Sequence, residues 1–321
     1  MRAPEFWTGK SKAAGALSAA LAPLGALYAL SVRAKMARAK PYRARARVLC
    51  VGNLTAGGSG KTPIAIALGL MLAARGKRIA FLTRGYGGRL HGPLCVDAAR
   101  HIATDVGDEA LLLAAKAPTI VARDRAAGAK LTDSLGIDIV VMDDGFQNFQ
   151  LAKDVSLIVI DAEWGFGNGR LIPAGPLRER PDDGFKRADA LVLMGDREPK
   201  LSPFAGPVLR ARMLPSAPAA VAGRAVFAFA GIGRPEKFFS TLRDMGARVL
   251  GTRAFPDHHR FNAIELAALR ALAQSFGALL VTTEKDFARI AELDRKAILP
   301  VPVHVVFETD PALSALLGRL S

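Results

Sequence analysis

Short apolar runs alternate with longer amphipathic stretches through most of the chain. "RVLCVGNL", "KRIAFLTRGYGG", "TIVARD", "IDIVVMDDG" and "VSLIVIDAE" each hold a near-continuous apolar core, which reads as a buried strand. Between them, "TPIAIALGLMLAARG" predicts a helix ended by Gly76, and "DVGDEALLLAAKA" a helix with acids in its first turns, where the helix dipole favours them. "RAAGAKLTDSLG" predicts another helix. Strands without polar alternation, each followed by a helix, imply a parallel sheet covered on both faces. A Pro/Ala stretch, "LPSAPAAVAG" at 214–223, is suited to a linker. Beyond it the same rhythm resumes through "AVFAFAGIG", "PEKFFSTLRDMG", "ARVLGTRAF", "NAIELAALRALAQSFG", "ALLVTTEKD" and "VPVHVVF". The expected organisation is an α/β chain with one unit over 48–213 and a second, smaller α/β unit over 224–321. No internal repeat or low-complexity tract is evident.

Residues 1–47 break this rhythm. Between Lys12 and Arg33 lie 20 uncharged residues, eight of them alanine, with Pro23 in the middle. Leu17, Leu21, Leu24 and Tyr28 follow helical spacing, with Leu27 beside them, and make one greasier face. Seven basic residues without an acid follow between 33 and 47. The formal net charge is +15, and +9 of it sits in residues 1–47. The segment is expected to be a helix lying in an anionic leaflet, held by apolar area and by basic contacts with headgroups. An alanine-rich helix packed on the protein's own core, a single span and an uncleaved signal sequence are the alternatives. Nucleic acid is not an expected partner: the basic residues lack interleaved aromatics except Tyr42, and no nucleic-acid-binding motif is present. Only Cys50 and Cys95 occur, too few for a disulfide framework, so a reducing cytoplasmic setting is expected.

The chemistry starts at "GNLTAGGSGKT", residues 52–62, between a predicted strand and a predicted helix. That context, with Gly57, Gly58, Gly60, Lys61 and Thr62, predicts a phosphate-binding loop over Thr55, Ala56, Gly57, Gly58, Ser59, Gly60, Lys61 and Thr62. Its backbone N–H groups would form an anion nest at a helix N-terminus. Lys61 would meet the β- and γ-phosphates, and Thr62 would ligate Mg²⁺. Thr55 stands where the general pattern has its first glycine. Asp143 and Asp144, ending an apolar strand, supply the acids such a site needs; one would hold Mg²⁺ directly or through water and the other orient a ligand or a second metal. Taken alone, loop and acids indicate phosphoryl chemistry on ATP or GTP within a P-loop NTPase-like sheet.

Further polar clusters fall on predicted loops: "TRGYGG", "GDEA", "DDGFQ", "LIPAGPLRE", "DHHRF" and "TEKD". Together with "VGNLTAGGSGKTP" and the N-terminal helix, in this order, they resemble the tetraacyldisaccharide 4′-kinase family over nearly the whole chain. That family accepts Ser or Thr at the Thr55 position. Ala110 departs from the proline often found after Gly-Asp-Glu, while Asp108 and Glu109 are intact.

The resemblance implies transfer of the ATP γ-phosphate to the 4′-hydroxyl of an acylated glucosamine disaccharide 1-phosphate, a lipid A precursor. It implies ATP and Mg²⁺ as cofactors and the cytoplasmic face of the inner membrane as the location. The lipid substrate and the anionic membrane surface are the partners implied, and no protein partner is predicted. It also implies Asp144, Gln147 and Glu179 near metal and nucleotide with Asp143 beside them. Asp108 paired with His258 would take or orient the acceptor proton, and Lys61 would act on the transferred phosphate. Arg84 would bind an anionic group of donor or acceptor. The bland alternatives stay open here: Asp108 as a first-turn helix acid, His258 as a structural loop histidine, Glu179 as a surface partner of Arg178 or Arg180. A membrane-recruited P-loop ATPase acting as a switch is the rival function.

Overall fold

The computed structural model describes residues 4–8 and 11–320. Of the N-terminal basic residues, Arg2 and Lys10 lie outside the described residues. After a short 3-10 turn at Glu5–Thr8 come two α-helices, α1 (Lys12–Ala20) and α2 (Ala22–Arg38), bent by 50° at their junction. Ser11 caps α1 by accepting from the Ala14 N–H (3.1 Å), and Pro23 sits in the first turn of α2, where its missing N–H costs nothing. Among the described residues no single helix is long and apolar enough to cross a membrane; the bent pair together passes by length and composition.

The first sheet begins with β1 (Arg47–Gly52), α3 (Lys61–Ala74), β2 (Ile79–Thr83), the short β3 (Leu94–Cys95), α4 (Ala103–Val106), α5 (Asp108–Ala114) and β4 (Thr119–Val121). It continues through α6 (Arg125–Ser134), β5 (Ile139–Asp143), β6 (Val155–Asp161), α7 (Pro181–Phe185), β7 (Ala190–Met194) and β8 (Val208–Pro215). The second unit carries β9 (Ala225–Ala230), α8 (Pro235–Asp244), β10 (Arg248–Ala254), α9 (Ala263–Ser275), β11 (Leu279–Thr283), α10 (Glu284–Arg289) and β12 (Ile298–Val301). The last elements are β13 (Val303–Phe307) and α11 (Pro311–Gly318).

Two sheets result. The larger has nine strands in the order β13-β8-β7-β6-β1-β5-β2-β4-β3, parallel except at its two edges. The smaller has four parallel strands in the order β10-β9-β11-β12. The pleat of β1 divides its side chains between two cores, as the two-residue period of a strand requires. Leu49 and Val51 face α3, packing with Ile64, Leu68 and Leu72, while Val48 and Cys50 face the other side with Leu82, Met142 and Ile158. In the smaller sheet Val226 and Ala228 pack with Phe239 and Leu242 of α8, and Phe227 and Phe229 with Leu266 and Leu269 of α9. Both sheets are therefore covered on both faces, the α/β arrangement that the uninterrupted apolar strands predicted.

The boundaries need a correction. Residues 302–320 do not belong to the second unit: β13 pairs antiparallel with β8, and Leu313, Leu316, Leu317 and Leu320 join the core beneath α3. Each such buried leucine contributes ~1.5–3 kcal/mol, so the C-terminal helix is held by the first unit's core. The expected linker is also partly ordered structure, since β8 extends to Pro215 and Val221 is buried in the second unit's core.

The N-terminal helices pack with their small and polar residues inward. Ser18 is buried and donates to the Ala174 carbonyl (2.6 Å), and Gly25 lies against Leu171, where a Cβ would be 3.2 Å from its carbonyl oxygen. Asn168 donates to Ser18 Oγ (3.0 Å) and to the Ala174 carbonyl (3.0 Å), and Trp7 Nε1 donates to the Pro173 carbonyl (3.0 Å). Leu17, Leu24, Leu27 and Leu30 are left exposed, an unusual orientation for a helix in a water-facing protein.

Candidate functional site

The loop between β1 and α3 lies at the carboxyl end of the large sheet, the usual place for ligands in open parallel sheets. Gly52 starts it because nothing larger fits: a Cβ there would stand 2.4 Å from the Phe146 Cβ. Asn53, fully buried, donates to Ser59 Oγ (2.9 Å) and thereby ties the two ends of the loop together. Gly60 takes a left-handed conformation (φ 86°) as the N-cap of α3, which glycine alone adopts without strain. Thr55 pairs as an isolated bridge with Leu177, and the neighbouring Ala56 N–H donates to the Pro176 carbonyl (2.7 Å). Thr55 is not among the positive-φ residues, so its position does not need the missing glycine; the "PAGPLRE" segment supports it instead.

Lys61 and Thr62, the first residues of α3, reach the acids ending β5. Thr62 Oγ1 donates to Asp143 Oδ2 (2.9 Å), so the carboxylate beside Thr62 is that of Asp143 rather than Asp144. Lys61 Nζ lies 3.7 Å from Asp144 Oδ1 and 3.5 Å from the Gly57 carbonyl oxygen. Arg178 grips Asp144 with two donations (2.8 and 3.3 Å). Asp144 is half-buried, and the loss of hydration alone would raise its carboxyl; the Lys61 and Arg178 charges hold it below the ordinary carboxylate value. Asp143 goes the other way. Burial first, then the negative charges of Glu109 and Asp144, push its carboxyl up to about 7, against the pull of Lys61 and the Thr62 hydrogen bond. Its Oδ1 is buried without a partner.

An orphaned carboxylate oxygen beside a threonine hydroxyl is a hard-oxygen donor pair, and it fits Mg²⁺, which takes one or two protein oxygens and fills its octahedron with water and phosphate. Among the described residues no group of three or more His, Cys, Asp or Glu side chains is arranged to cage a metal. Gln147 and Glu179 form a knot beside the two aspartates, joined through Arg178 Nη1, which donates to Gln147 Oε1 (3.4 Å): Gln147 Nε2 donates to Glu179 Oε1 (2.9 Å) and to the Asn53 carbonyl (2.8 Å), and Glu179 is ion-paired with Arg187. Glu179 is thus buried and pairs with neither Arg178 nor Arg180. Arg84 follows β2 directly and is exposed.

A second cluster forms where the two units meet. Asp108, the first residue of α5 in the first unit, lies 3.2 Å through Oδ2 from His258 Nδ1 in the second. The sequence-predicted pair is therefore brought together across 150 residues of chain. His258 holds a left-handed backbone (φ 59°), a strained conformation for a non-glycine residue, with its N–H donating to the Gly231 carbonyl (3.0 Å). Its ring meets Tyr86 of "TRGYGG" edge-on at 5.6 Å between centroids. His259 faces away and pairs with Glu265 (3.1 Å).

Sequence reasoning missed the rest of this cluster. Arg289 donates to Asp108 Oδ2 through Nε (2.8 Å) and Nη2 (2.5 Å), and Lys285 Nζ lies 3.2 Å from Glu109 Oε1 and 3.8 Å from Asp108 Oδ2. Burial would raise the Asp108 carboxyl, but the His258 hydrogen bond and the Lys285 and Arg289 charges hold it far below the ordinary carboxylate range. The available signal was "TEKD", one of the polar clusters on predicted loops; its Lys285 and Asp286, with Arg289 one turn on, belong to this cluster. Arg178, Arg187 and Asn53 carried no separate signal. Because Glu109 repels Asp143 while pairing with Lys285, the two clusters are electrostatic neighbours.

A model of the tetraacyldisaccharide-1-P 4′-kinase family matches residues 17–321. Relatives named tetraacyldisaccharide 4′-kinase include one from Paramagnetospirillum magneticum, 48% identical, with 100% of this chain and 99% of the relative covered. Another from a Methylobacterium species (strain 4-46) is 50% identical, with 100% and 98% covered. A crystal structure described as the "apo" form of LpxK from Aquifex aeolicus in complex with ATP superposes with a TM-score of 0.77 at 26% identity, covering 95% of this chain and 99% of that one.

Proposed function

The chain belongs to the tetraacyldisaccharide-1-P 4′-kinase family, and from that premise we infer that it transfers the γ-phosphate of ATP to the 4′-hydroxyl of an acylated glucosamine disaccharide 1-phosphate. The observation that carries this reading is the adjacency of a phosphate loop to an aspartate–histidine pair, Asp108–His258, at one end of the sheet. A switch ATPase would use the loop and leave that pair idle.

In this reading the N–H groups at the α3 N-terminus and Lys61 hold the β- and γ-phosphates, with the helix dipole adding to the attraction. Thr62 Oγ1 and Asp143 Oδ1 would hold Mg²⁺, which when bound neutralises charge on the phosphate oxygens. Asp144 keeps Lys61 aimed at the loop and is itself kept in place by Arg178. Gln147, Glu179 and Arg187 support the floor of the site through Asn53. The hydroxyl oxygen of the acceptor forms the new P–O bond, the bridging bond to the β-phosphate breaks, ADP leaves, and the hydroxyl proton passes to the Asp108–His258 pair. Such a positioned proton acceptor is worth roughly 10²–10⁴-fold in rate. Arg84, exposed beside Tyr86, is assigned to an anionic group of donor or acceptor.

The exposed leucines of α1 and α2 are assigned to the membrane surface that holds the acylated substrate, with the basic residues of 33–47 facing anionic headgroups. Use of ATP puts this at the cytoplasmic face of the inner membrane. Two experiments test the proposal. Labelled ATP is incubated with and without a detergent-dispersed disaccharide lipid. The γ-phosphate is expected on the lipid, and its release only as free phosphate sinks the kinase reading. Deletion of residues 1–32 is expected to move the protein from the membrane to the soluble fraction; unchanged sedimentation defeats the membrane assignment.

A further inference from the structure

We propose that Arg289 is a positioning residue for phosphoryl transfer, fixing the Asp108 carboxylate against His258 and setting the proton affinity of that pair. The inference rests on the kinase reading and adds to it a residue outside the phosphate loop and the acceptor pair.

The geometry is specific. Arg289 is nearly sealed from solvent, with 4% of its side chain exposed. One edge of its guanidinium is anchored, Nη1 donating to Asp286 Oδ1 (2.8 Å) and to the Gly231 carbonyl (2.8 Å). Asp286 in turn accepts from the Gly231 N–H (3.0 Å) and from Thr283 Oγ1 (2.7 Å), so the fork is held from behind before it meets its target. The other edge closes on Asp108 Oδ2, which also faces His258 Nδ1, and Nη2 itself lies 3.4 Å from that ring nitrogen. Among the described residues no donor reaches Asp108 Oδ1. Three nitrogens thus fix one carboxylate oxygen and leave its twin without a donor. A residue serving only as filler would not require two anchors on one side and two donations on the other.

The electrostatic environment is set by a few groups. Lys285 and Asp286 face the pair from α10, Glu109 from α5 itself, Asp257 from beside His258 (3.8 Å to Nε2), and Asp105 from α4, where it is occupied by Arg89. Tyr86 adds an aromatic edge. Arg289 is the only one of these to donate twice to Asp108. A cation held against the pair favours its deprotonated form, whichever member takes the proton, so removing it must raise the pair's apparent pKa. The limb of activity lost at low pH then moves to higher pH.

The test measures kcat against pH, with ATP and detergent-dispersed lipid saturating, for wild type, Arg289→Met and Arg289→Lys. His258 ring protons are followed by NMR titration in the same proteins without substrate. For Arg289→Met the low-pH limb and the His258 titration are expected to move up by about one pH unit, with KM for ATP unchanged. Arg289→Lys, which keeps the charge and loses the fork, is expected to restore most of that shift. A uniform fall in kcat with the limb and the His258 titration unmoved shows a structural prop and overturns the proposal, as does wild-type behaviour in both variants. If Arg289→Met fails to fold, Arg289→Gln takes its place with the same criteria. Failure of wild type to phosphorylate lipid would instead sink the kinase reading, while the His258 titration still reports on Arg289.

Discussion

The two halves of the site are assembled in opposite ways. On the donor side, the loop, Lys61 and Thr62 come from one strand–loop–helix turn, and Asp143 arrives on the strand paired directly with β1. Asn53 and the Thr55–Leu177 bridge hold the loop in shape without a ligand. On the proposed acceptor side, Asp108 belongs to one unit and His258, Lys285 and Arg289 to the other, so each of Asp108's contacts with them is made across a boundary between separate cores. The donor half is fixed by local chain geometry, whereas the acceptor half exists only while two packed bodies sit in register. Defects should therefore separate: donor-side changes act on nucleotide handling, acceptor-side changes on turnover.

The severest break in that comparison is Lys61→Ala. Losing the point charge over the β/γ-phosphates is expected to reduce transfer on the order of 10³-fold, read as phosphate incorporated into lipid. Next comes Asp108→Ala, expected to lower kcat by ~10²–10⁴-fold while nucleotide affinity, measured by equilibrium titration, stays near wild type. If affinity and kcat fall together, the two halves are not independent and the base role fails. The mildest is Asn53→Ala. It removes the donation to Ser59 Oγ, at a cost of ~1–3 kcal/mol, expected as a several-fold rise in KM for ATP with kcat little changed. A loss confined to kcat would mean that Asn53 does not act through the loop.

Much of the donor half was legible because its signals are local. A buried strand, three glycines, Lys-Thr and a helix in succession leave little freedom, and the acids at the end of an apolar run fall where a parallel sheet must place them. Which acid serves Thr62 was not legible. Asp143 is the last residue of β5 and Asp144 already turns away with a left-handed backbone (φ 49°), a distinction set by where strand geometry stops. The Asp108–His258 pairing was reached through resemblance; no spacing in the chain predicts a contact over so many intervening residues. Arg289 was missed for the same reason, since a helix arginine three residues after an aspartate reads as an ordinary surface pair. The path of the C-terminus was hidden because "VPVHVVF" has strand character that names no partner. Only tertiary packing decides that β12 completes the small sheet and that β13, beyond a single proline, crosses to the large one.

That crossing gives the covalent order of the chain a different meaning. Pro215 at the end of β8 is the register partner of Val303 at the start of β13, and the Ser216 N–H donates to the Pro302 carbonyl (2.9 Å). The second unit is thus a guest lodged in the tip of a hairpin, entering and leaving at one doorway. A short turn joining 215 to 303 would excise it and leave the host sheet with all nine strands, its C-terminal helix and its phosphate loop. The fold carries a natural cut line between a self-contained nucleotide binder and the insert that supplies the histidine.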